Sequence, residues 1–197
     1  MRARTDVCEQ CVIVWSAVDH QLPIVETGVK SNPALDSLSL LWVDERATQA
    51  FAARLASQPG LANAFVTLHG DLGAGKTTLT RHLLHALGVS GRIKSPTYTL
   101  VESYDTARFA AWHFDFYRFN DPQEWEDAGF RDIFASPGLK LAEWPQKAAG
   151  LLPRADLDIA LLPEGDTARR VTLTALTPVG VSVLQGLASA ESEGSAA

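Results

Sequence analysis

Cysteine is scarce: the 197 residues hold two, Cys8 and Cys11, in a C-E-Q-C spacing. A zinc site built on that spacing needs two further ligands, and no second CxxC follows. The pair reads as ordinary thiols in an N-terminal extension, and with no other cysteine there is no disulfide framework, which fits a reducing compartment. A long apolar run is also missing. Cys11–Val18 falls well short of the roughly 20 residues that a membrane span requires. Arg2 and Arg4 precede it, but acidic residues interrupt the stretch and no cleavage pattern follows, so it does not read as a signal peptide. Positive charge is short as well: 17 Lys and Arg stand against 23 Asp and Glu, a formal net charge of −6. That excludes an extensive basic surface for gripping nucleic acid and routes any RNA connection through a partner. The expectation is a cytoplasmic chain without membrane association.

What is present describes a globular domain. Apolar residues make up 46% of the chain and charged residues 20%, enough for one α/β domain with a sizeable core. Residues 1–37 show no sustained period and read as an extension. Leu38–Val43 reads as a short strand, and Asp44 caps a helix over Glu45–Ser57 whose apolar stripe includes Ala47, Phe51 and Leu55. Phe65–His69 is a compact apolar run suited to a buried parallel strand. A helix over Lys76–Leu87 stops at Gly88. Tyr98–Tyr104 and Ala110–Phe114 read as strands, and Asp121 with Pro122 starts a helix. Leu139–Trp144 is another strand, followed by a short helix between Pro145 and Leu151. Leu157–Leu162 and Arg169–Leu176 form a hairpin about Pro163–Ala168. Residues 177–197 read as a loose tail. The predicted fold is a three-layer α/β domain over 38–176, of P-loop NTPase type, with a mixed, mostly parallel central sheet and a C-terminal hairpin.

The chemistry begins at Gly70-Asp71-Leu72-Gly73-Ala74-Gly75-Lys76-Thr77, a full match to G-x-x-x-x-G-K-[ST] between an apolar strand and a helix. The glycines let backbone N–H groups of this segment, through Thr78, converge on phosphate oxygens at a helix N-terminus. Lys76 would reach the β- and γ-phosphates and Thr77 would hold Mg²⁺. Asp115 ends the apolar run Trp112–Phe114 at a strand's carboxyl edge, where α/β sheets bind ligands, and is the candidate second metal contact. Glu143 ends L-K-L-A-E and is a candidate to orient water, accept its proton or touch the metal shell. Trp144 can stack on a base or simply pack. Thr97, in S-P-T, either reaches the γ-phosphate or metal or only shapes its turn. Arg118 and Arg131 are candidate charge stabilisers or surface ion-pair partners. No N-K-x-D segment follows, so ATP is favoured over GTP by that absence.

Taken together, G-D-L-G-A-G-K-T-T at 70–78, S-P-T-Y-T-L-V at 95–101, H-F-D-F-Y-R at 113–118 and E-W-P at 143–145 resemble the TsaE (YjeE) family in order and spacing, over roughly residues 38–176. The resemblance implies a bacterial Mg²⁺-dependent ATPase, feeble alone, needed for threonylcarbamoyladenosine formation in tRNA. It implies TsaB and TsaD as partners, with tRNA met only indirectly. By the match, Lys76 and Thr77 carry phosphate and metal, Thr97 a switch-like loop, Asp115 the Mg²⁺, Glu143 the hydrolytic step, and Trp144 lies near the nucleotide or a partner. The chain departs from the family's E-W-P-E at Gln146, and the N-terminal 37 residues and the tail lie outside the match. Two other classes compete with this reading. A small-molecule kinase would need an acceptor pocket and converging lid arginines. A nucleotide-dependent binding module would need no turnover.

Overall fold

The computed structural model describes residues 37–194. Cys8, Cys11 and the rest of residues 1–36 lie outside the described residues. Seven strands form one mixed sheet: β1 (Ser37–Trp42), β2 (Phe65–His69), β3 (Val101–Asp105), β4 (Ala110–Asp115), β5 (Leu139–Glu143), β6 (Leu157–Glu164) and β7 (Ala168–Ala175). Their order is β1-β7-β6-β2-β5-β4-β3. The four central strands β6, β2, β5 and β4 are parallel, and β3, β7 and β1 pair antiparallel at the two sides. Continuous apolar runs specify the centre, because a parallel strand covered on both faces has no polar side to show. All five residues of β5 are buried. β6 and β7 form the expected hairpin, with a turn narrower than Pro163–Ala168.

Helices cover both faces. α1 (Glu45–Ala56), α2 (Lys76–Ala86) and α5 (Pro178–Gly194) share one apolar cluster with Leu68, Leu141 and Ile159. On the other face α3 (Pro122–Asp127) and α4 (Phe130–Ala135) close over an aromatic cluster of Phe65, Phe114, Phe116 and Trp125. Asp44 caps α1 by accepting from the Ala47 N–H at 2.9 Å, and Asp121 caps α3 through Gln123 N–H at 2.9 Å. Such caps contribute about 1 kcal/mol each.

Three expectations need correction. The strand at Tyr98–Tyr104 begins only at Val101: Tyr98–Leu100 form a turn, with Leu100 at φ 61°, a left-handed backbone no strand continues through. α4 went unread. Residues 178–194 are helical rather than a loose tail, and Val183, Leu184 and Leu187 are buried against the domain. The α5 glycines are packing contacts, not breakers. A Cβ on Gly180 would lie 1.9 Å from the carbonyl oxygen of Asp156, so only glycine permits that approach.

Candidate nucleotide-binding site

β2 runs into the Gly-rich loop, and the loop opens α2. Gly70 sits at φ 138°, where a Cβ would lie 2.5 Å from the Leu161 carbonyl oxygen. Gly75, at φ 107°, is the residue before α2. These two allow the loop to curl tightly against β6 and turn into the helix, leaving the N–H groups at the start of α2 available to an anion. Ala74 is fully buried under the loop, whereas Leu72 at its tip is exposed and Asp71 faces solvent. Thr78 lines a small pocket together with Asp44 and Arg169.

Lys76 is buried. Its Nζ donates to the carbonyl oxygens of Gly70 at 2.6 Å and Asp71 at 2.9 Å, and lies 4.1 Å from the centre of the Trp144 ring. Burial pulls its pKa below the usual lysine value, and the charges of Glu143, Asp115 and Asp71 oppose that shift. Trp144 itself has a left-handed backbone at φ 57° and packs against Tyr117, ring centres 5.0 Å apart. The kink turns its indole over the lysine amine rather than along β5.

The carboxylates follow from strand register. Asp115 and Glu143 are Cα partners at the carboxyl ends of adjacent parallel strands, and both are buried. Glu143 accepts from the Thr77 hydroxyl at 3.0 Å through Oε2, and its Oε1 lies 2.9 Å from Nε2 of fully buried His113. Because a carboxylate only accepts, the imidazole donates. Its Nδ1 is buried without a hydrogen-bond partner. Asp115 accepts at Oδ2 from Ser95 and, at 2.8 Å, from Thr97; Ser95 and Thr97 Oγ atoms are 2.7 Å apart. Its Oδ1 accepts from the Tyr117 N–H at 3.0 Å.

The structure therefore brings Gly70, Gly75, Lys76, Thr77, Thr97, Asp115, Glu143 and Trp144 to one end of the sheet. Arg118 and Arg131 do not join them. Arg118 lies 4.7 Å from the ring centre of exposed Tyr98, and Arg131 pairs at 2.7 Å with Glu126 on the surface. Three further residues belong to the site. Ser95 stands in the S-P-T segment, where nothing local marks its bond to a carboxylate 20 residues away. His113 carried a signal, a polar residue inside an apolar strand, that required a partner on its neighbour. Arg169, whose Nε donates to Ala74 O at 2.9 Å and braces the loop from β7, had no sequence signal.

The donor set fits Mg²⁺ held with a phosphate. Among the described residues no cluster of three or more His, Cys, Asp or Glu could hold a metal alone. Mg²⁺ sites commonly use one or two carboxylates or a hydroxyl, with phosphate oxygens and water completing the shell, and the side chains of Thr77, Asp115 and Glu143 are of that kind. Among the described residues no helix is long and apolar enough to cross a membrane.

A mixed α/β sheet with parallel central strands, a glycine-rich loop into a helix N-terminus, a buried lysine and strand-end carboxylates define a P-loop nucleotide-binding domain. Residues 42–171 match the family described as threonylcarbamoyl adenosine biosynthesis protein TsaE. A tRNA threonylcarbamoyladenosine biosynthesis protein TsaE from Haemophilus influenzae is 46% identical over 124 residues, covering 63% of this chain and 78% of that one. Its Bacillus subtilis counterpart is 39% identical over 111 residues, covering 56% and 69%. The crystal structure of Bacillus subtilis YdiB superposes with a TM-score of 0.64 at 28% identity, covering 79% of this chain and 96% of that one. The chain belongs to the TsaE family.

Proposed function

We propose that this protein is the ATP-binding and ATP-hydrolysing component of the machinery that makes threonylcarbamoyladenosine in tRNA. The observation that carries the site is the junction at Glu143, where one buried carboxylate meets the α2 hydroxyl of Thr77 on one side and His113 on the other. The loop and the α2 N-terminus would bind the triphosphate, and Lys76 would exchange its two carbonyl acceptors for phosphoryl oxygens. Thr77 and Asp115 would hold Mg²⁺, which supplies neutralisation of charge developing on the phosphates. Glu143 orients or deprotonates water, a role its fixed, buried position suits. Ser95 and Thr97 tie their loop to Asp115, so loop position and metal contact move together.

This reading makes turnover slow in isolation, places the protein in the cytoplasm, and gives it the TsaB–TsaD pair as partner, with tRNA reached through that pair. Both the family and the acidic composition support it. The test is ATP hydrolysis by the purified protein, alone and with TsaB and TsaD of the same organism, with GTP as control and Lys76→Ala beside it. Slow Mg²⁺-dependent turnover, stimulated by the pair and lost in the variant, is the expected result. Turnover that ignores the pair but responds to small-molecule acceptors would move the protein to the kinases.

A further inference from the structure

A cleft of about 510 Å³ opens between α2 and the 91–95 segment. Arg81 and His85 line one wall, and Arg92 and Lys94 the other. Thr77, Arg81 and His85 follow one another at four-residue steps along α2, so they stand on one helix face. Thr77 and Ser95 also line the cleft. No carboxylate lines it, and among the described residues Arg81, Arg92 and Lys94 form no ion pair. The His85 Nδ1 donates to the Val89 carbonyl oxygen at 2.9 Å, which fixes the ring at the cleft margin. In a chain of net charge −6 with histidine neutral, three cations and a histidine line one cleft with no carboxylate in its wall, and the acids Glu143 and Asp115 stand behind Thr77 and Ser95.

We propose that this cleft seats an acidic segment of the protein partner, and that its occupant is felt at the nucleotide site through Thr77 and Ser95. Thr77 touches Glu143 and Ser95 touches Asp115, so a carboxylate drawn into the cleft presses on both side chains that position the metal-end carboxylates. Guanidinium groups bind carboxylates bidentately, and two arginines on facing walls suit such anchoring. The partner is a protein, not nucleic acid. A polyanion needs a positive field and a line of cations along its backbone, whereas this cluster is concave and local, on a chain whose net charge is −6. The inference rests on the partner reading given above and adds to it the chemistry of the contact.

The experiment uses the full chain with Arg92→Glu and Lys94→Glu combined, both residues being exposed, and a milder Arg92→Gln, Lys94→Gln pair. Three quantities are measured: melting temperature, fluorescent ATP-analogue affinity, and affinity for the TsaB–TsaD pair with ATP present. The reversal variant should melt like the parent, bind nucleotide within about threefold because exposed charges are screened, and bind the pair about tenfold or more weaker. The Gln variant should fall between, and the parent's affinity should weaken with salt more steeply than either variant's. Equal binding of the pair by parent and reversal variant overturns the cleft but leaves the partner reading standing. Failure of the parent to bind the pair overturns both. Salt-sensitive tRNA binding by the parent that the reversal abolishes, with the pair's affinity unchanged, gives the cleft to nucleic acid and overturns the proposal.

Discussion

Thr77 and Glu143, 66 residues apart in the chain, are joined by a 3.0 Å hydrogen bond from the threonine hydroxyl to Oε2. The bond links the first turn of α2 to the end of β5, and it leaves Oε1 to His113. The carboxylate is thus oriented from two sides before any nucleotide contact is made.

Glu143→Gln keeps shape and hydrogen-bonding reach but removes the negative charge. Turnover with the partner pair should fall about 100-fold or more, with ATP-analogue affinity changed only a few-fold. Single-turnover hydrolysis and fluorescence binding measure the two separately. Retained turnover would remove Glu143 from the hydrolytic step.

His113 meets the site at Glu143, its Nε2 2.9 Å from Oε1, so an effect of His113 on turnover would run through that carboxylate. His113→Leu leaves a buried carboxylate oxygen without its donor, so both stability and turnover should drop, the former by about 1–3 kcal/mol. His113→Gln offers an amide N–H in its place and should restore much of the turnover. A purely structural role would lower the melting temperature while leaving turnover per folded molecule equal in the two variants.

Asp115 collects the hydroxyls of Ser95 and Thr97 on one oxygen. Thr97→Val keeps the volume and deletes one donor. The Mg²⁺ concentration giving half-maximal turnover should rise about tenfold, as is common when a partner of a metal-binding carboxylate is lost. Asp115→Asn should raise it further. An unchanged Mg²⁺ requirement in both variants would take Asp115 out of the metal's coordination.

How much of this was legible in sequence depends on the range over which each residue acts. The loop at 70–77 could be read directly, because its glycines and lysine act on neighbouring backbone. Glu143 and Asp115 were legible as strand ends, since a carboxylate closing an apolar run marks the sheet's ligand edge. Their mutual register was not, because parallel pairing joins segments with no local signal. The bond from Arg169 to Ala74 requires the β6–β7 hairpin to lie beside the loop, a fact of topology alone. α5 is hidden in the sequence because its small residues and three glycines imitate a linker, while its buried Val183, Leu184 and Leu187 acquire meaning only against the rest of the domain.

Gly70→Ala tests the cradle's shape independently of its charges. The methyl would meet the Leu161 carbonyl oxygen and the Ala74 methyl, at a backbone angle unfavourable to any side chain. The loop must shift, so the variant should lose about 2–4 kcal/mol of stability and bind nucleotide more weakly than the parent. Chemical denaturation and analogue binding check it.

Asp158 on β6 supplies a prediction about acid stability. Its carboxylate accepts from Thr67 on β2 and lies 3.6 Å from His69 Nε2. Burial pushes its pKa up, but the nearby His69 imidazole and the hydrogen bond from Thr67 outweigh burial and hold it below the usual aspartate value. A depressed pKa means that the folded state favours the ionised form. The stabilisation is therefore complete above about pH 4, the ordinary aspartate range, and is lost as pH falls through the lower folded value. Asp158→Asn cannot ionise and lacks this contribution at every pH. At pH 6 the variant should melt below the parent, and the gap should close as both are taken into the acid range. His69→Gln should show a smaller gap closing over the same window. A difference between parent and Asp158→Asn that stays constant down to the lowest pH at which both fold would show that the β2–β6 contact stabilises through shape and not through charge.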